Sequence, residues 1–67
     1  MDRSKAIIRL EHWLRHAEEH WKEYQEFAYA LKEAGYKEAS EAISELAKVA
    51  QESSRLIKKA IEGVKEA

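Results

Sequence analysis

The chain is expected to be all-α, an antiparallel two-helix hairpin that dimerises into a four-helix bundle. Three observations predict this. The 67 residues contain no proline, only two glycines and 37% charged residues, a composition that favours helix throughout. Apolar residues recur at alternating steps of three and four on both sides of Gly35. A single seam between two helices is also a small core for a domain of this size, which makes burial against a second copy the expected remedy.

The first helix is expected over about residues 4–34. Asp2 or Ser4 can cap it, because a short side-chain oxygen accepts from the exposed amides of the first turn; Ser4 is preferred. Its seam runs Ile7, Leu10, Leu14, Ala17, Trp21, Tyr24, Ala28, Leu31, an a/d pattern. Beside it lie Trp13, His20, Phe27 and Ala34, each seven apart, which widens the apolar stripe beyond that of a two-stranded coil. Gly35 is the natural left-handed residue to end the helix, with Tyr36 folding back towards Leu31.

The second helix is expected over about residues 37–65, with Glu38 and Glu41 near its positive end. Its seam reads Ala39, Ile43, Leu46, Ala50, Ser53, Ile57, Ala60, Val64. A turn at Gly35 pairs positions whose numbers add to about 71, so that Trp21 meets Ala50 and Ala28 meets Ile43, large against small as close packing requires. Ala42, Val49 and Leu56 remain outside that seam. With Trp13, His20 and Phe27 they form a second apolar surface, fit to bury against a partner chain in a homodimer or against another protein. Glu11–Arg15, Glu18–Lys22 and Glu45–Lys48 have the spacing of surface ion pairs.

Charge and composition remove several function classes. Twelve basic residues against thirteen acidic ones leave a net charge of −1, without the basic face that a phosphate backbone requires, so nucleic acid is not an expected partner. No run approaches the ~18 apolar residues of a membrane span, and the first residues lack a signal-peptide core, which gives a cytoplasmic expectation. There is no cysteine, so thiolate metal sites and disulfides are excluded.

Metal chemistry by imidazole and carboxylate is not excluded. All three histidines fall at steps of four, His12, His16 and His20, within Glu11–Tyr24. Neighbouring members share a helix face, whereas His12 and His20 are separated by ~12 Å of rise and roughly 80° of rotation. One ion cannot take all three. His16 and His20 with Glu23 offer two nitrogens and a carboxylate, a donor set that suits Zn, Ni, Co or Cu; Glu19 and His12 are the reserve ligands. Five glutamates against Arg15 and Lys22 between Glu11 and Glu26 add a field attractive to cations. His16-Ala17-Glu18-Glu19-His20 also fits the H-x-x-E-H pattern of inverted zinc peptidases, but a hairpin offers no substrate cleft and no enzyme is expected. The competing expectation is a purely structural or protein-interaction module without metal.

Two resemblances accompany these readings. Tyr24-x-x-Phe27-Ala28, leading to Gly35-Tyr36 and an alanine-rich second helix, resembles a helix pair of rubrerythrin and other ferritin-like proteins. It implies the packing without the di-iron centre, since the Glu-x-x-His region of that family corresponds here to Ala50-Gln51-Glu52-Ser53. The phrase Glu11-His12-Trp13-x-x-His16-x-Glu18-Glu19-His20, continuing to Phe27-Ala28 and Ala34-Gly35, resembles a small prokaryotic helical-hairpin domain attached to nickel- or cobalt-handling proteins, and implies metal handling.

Overall fold

The computed structural model describes all 67 residues as two helices, α1 (Arg3–Glu33) and α2 (Lys37–Glu66), with no strand. The hairpin is a rod of 49 × 14 × 12 Å. Its long dimension follows from helix geometry, since thirty residues at 1.5 Å rise span about 45 Å.

α1 begins one residue earlier than expected. Asp2, not Ser4, is the N-cap; its side chain makes no capping bond, and its carbonyl instead accepts from the Ala6 amide at 3.0 Å. The far end is a complete Schellman stop. The Tyr36 amide donates to the Leu31 carbonyl at 2.9 Å and the Gly35 amide to the Lys32 carbonyl at 3.0 Å, with Gly35 at φ 90°. Tyr36 therefore returns to Leu31 through its backbone, while its side chain stays exposed.

The α1 seam is the expected one. Ala28 is buried and Ile7, Leu10, Leu14, Ala17, Trp21, Tyr24 and Leu31 are half-buried. On α2 only one of the two expected rows faces inward. Ile43, Ala50, Ile57 and Val64 are half-buried as expected, but the most buried positions are Ser40, Ala47, Ser54 and Ile61. Ala39, Leu46, Ser53 and Ala60, read from the sequence as core, are exposed. α2 is thus turned by one position from the expected setting. The reason is volume: α1 fills the seam with Leu14, Trp21 and Tyr24, so α2 approaches with serine and alanine.

Hydroxyls in that seam need acceptors, and both have them. Ser40 Oγ donates across the hairpin to the Ala28 carbonyl at 2.7 Å, and Ser54 Oγ to the Ala50 carbonyl of its own helix at 3.4 Å. The cross-helix contacts Ala28–Ser40, Glu18–Lys58 and Arg3–Ala67 bracket the register expected from the turn.

The two long sides of the rod differ. One is polar: Glu18 and Lys58 approach to 4.0 Å across the hairpin, and Gln25, Ser44 and Gln51 line an open groove on the same side. The other side is apolar. There α2 exposes Ala39, Ala42, Leu46, Val49, Ser53, Leu56, Ala60 and Gly63, an uncharged row stepping by three and four along the helix. α1 adds Ala6, Trp13, His20, Phe27 and Ala34. Ala6 shares a hollow with Ala60 and Gly63, which puts the two rows on one side of the rod.

Candidate functional site

The histidines stand in the middle of α1, held at fixed spacing by the helix and exposed to solvent. The His12 and His16 rings meet edge to face with centroids 4.4 Å apart, and His16 and His20 lie 6.4 Å apart. His20 is held on two sides. Its ring stacks on Tyr24 at 5.9 Å with only 14° between planes, and its Nδ1 lies 3.4 Å from Glu23 Oε2.

The structure therefore divides the residues selected from the sequence. His20 and Glu23 are together, with side chains 53% and 66% exposed; His12 and His16 form a second neighbouring pair. Glu19 is exposed and makes no ion pair. No group of three or more His, Asp or Glu side chains converges where one ion could be held.

Of the three expected surface ion pairs only Glu45–Lys48 forms, at 3.3 Å, while Glu18 reaches across to Lys58 instead of Lys22. The strongest pair was not expected. Arg55 Nε donates to both oxygens of Glu52, at 3.0 and 2.9 Å, and this hydrogen bonding holds the Glu52 carboxyl below its ordinary range and the Arg55 guanidinium above its own. The signal was available in the sequence as a glutamate three residues before an arginine.

Next to the histidines the apolar side carries Trp13, Phe27, Leu46, Val49 and Leu56, each at least 41% exposed. His20 lies seven residues from both Trp13 and Phe27, so it belongs to this side as well as to the imidazole row. No helix is long and apolar enough to cross a membrane.

The family model described as Domain of unknown function (DUF8180) matches residues 6–67, nearly the whole hairpin. The chain belongs to the DUF8180 family. No curated protein and no solved structure matches it. The matched span contains α2, all of α1 but its first three residues, the Schellman turn, the histidine row and the apolar side.

Proposed function

We propose that this DUF8180 hairpin is a self-association module, whose apolar long side buries against a second copy to form a four-helix bundle. The observation that carries this is the uncharged, heptad-spaced outer row of α2 beside exposed Trp13 and Phe27. A helix with two adjacent seams has one for its own hairpin and one for a neighbouring hairpin. The areas agree with that division. A compact chain of this size exposes roughly 4,400 Å², whereas this one exposes 5365 Å². The surplus is close to the ~800 Å² that each partner contributes to a standard interface.

Sedimentation equilibrium or light scattering between 1 and 100 µM, roughly the range in which a dimer of micromolar affinity dissociates, tests this reading. A dimer is expected, and Leu46→Glu with Leu56→Glu should shift it to monomer by burying two unpaired charges. A wild-type monomer across the whole range refutes the module.

A second reading, binding of a divalent transition metal, is favoured by the His20–Glu23 contact and the His12–His16 pair. Either His12 with His16 or His16 with His20 supplies two nitrogens, and Glu23 or a ligand from the other copy adds to them. Calorimetric titration of Zn, Ni, Co and Cu into chelator-treated protein is the test. Submillimolar binding that disappears in His16→Ala/His20→Ala supports it, and equal binding by that variant rejects it.

A further inference from the structure

A two-fold dimer brings the same surface patch of each copy against itself, so the patch must be self-complementary about one point. The apolar side has such a point, found independently on both helices. On α1 the row reads Ala6, Trp13, His20, Phe27, Ala34, small and large residues balanced about His20. On α2 the row pairs Leu46 with Leu56, Val49 with Ser53, Ala42 with Ala60 and Ala39 with Gly63, each pair equidistant from Gln51 and all but Val49–Ser53 alike in size. The two centres are at one height along the rod, for Trp21 and Gln51 line the same groove.

We infer that the occupant of this side is a second copy related by a two-fold axis that runs across the rod, perpendicular to the helices, at the level of His20 and Gln51. The inference rests on the self-association reading and adds its geometry. α1 then packs antiparallel on α1 of the partner and α2 on α2. Trp13 meets the partner's Phe27, Leu46 meets the partner's Leu56, and His20 meets its own counterpart. Each aromatic layer contains one Trp and one Phe, giving layers of equal volume, as native packing density favours. An axis running along the rod would instead collect two Trp in one layer and two Phe in another.

The two axes differ in which positions meet. With the crosswise axis, Trp13 and its counterpart are each seven residues from the centre and about 21 Å apart along the bundle, beyond disulfide reach. The chain has no cysteine, so introduced thiols report without background. Trp13→Cys and Phe27→Cys copies are mixed and oxidised, as are Leu46→Cys and Leu56→Cys copies, the second pair serving if loss of Trp13 unfolds the hairpin. His20→Cys is oxidised alone. The crosswise axis predicts mixed disulfides in both pairs and a self-linked His20→Cys dimer, with little self-linking of Trp13→Cys. Self-linked Trp13→Cys without mixed products overturns this axis while leaving self-association intact. A wild-type monomer in sedimentation overturns both.

Discussion

At Ser40 one hydroxyl fixes how the two helices meet. Its bond to the Ala28 carbonyl is buried and runs between helices, so it is present in only one setting of α2 against α1. Ser40→Ala leaves that carbonyl in its own helical bond, and the expected loss is about 0.5–1 kcal/mol in urea unfolding. Ser54→Ala should cost less, because the Ser54 bond is longer and stays within α2. Glu52 provides a different observable. Its hydrogen bonds from Arg55 lower its pKa, so the favourable contribution is complete above the ordinary carboxylate range and is lost as pH falls through the lowered folded value. Arg55→Ala should return the Glu52 titration, followed by side-chain carbonyl NMR, to that ordinary range. Among the imidazoles, spacing revealed which rings are neighbours, but the placement of Glu23 did not follow from it. Position i+3 puts Glu23 within reach of His20, and only the structure shows that it approaches the Nδ1 edge of the ring.

The elements themselves were legible from their punctuation. Gly35 ends α1 because only a residue without Cβ adopts φ 90° at no cost, and Gly35→Ala should destabilise the hairpin by about 1 kcal/mol in thermal unfolding. Gly63 is the opposite case. It lies inside α2, where an added Cβ would meet nothing of its own chain, so Gly63→Ala should raise the melting temperature of the monomeric Leu46→Glu/Leu56→Glu variant, by up to about 1 kcal/mol of stability. The seam of α1 was readable because every bulky residue on it faces inward. The seam of α2 was not, since two rows of equal period lie one position apart and hydrophobicity favours the wrong one. Leu46 outranks Ala47 on any such scale, yet Ala47 is buried and Leu46 is exposed. Ser40, Ala47, Ser54 and Ile61, each seven apart, carried the correct phase; their small size concealed it.

For the whole molecule, shape and exposed area point the same way. Its radius of gyration is 15.3 Å, where a compact chain of this length would have about 11 Å. Only Ala28, Ala47 and Ile61 form a buried apolar core. Stability should consequently depend on protein concentration, with a melting temperature that rises on concentration for the wild type and not for Leu46→Glu/Leu56→Glu, measured by calorimetry at two concentrations a hundredfold apart. The difference between the two long sides would also limit growth of the proposed assembly. A rod that was dry on both sides would keep adding neighbours and lengthen into a fibre. This one carries Glu18, Lys58, Gln25 and Gln51 on its reverse, so once the dry sides meet only wet ones are left to offer. In the proposed dimer, stoichiometry would thereby be written into the placement of a few charges, and the count would stop at two.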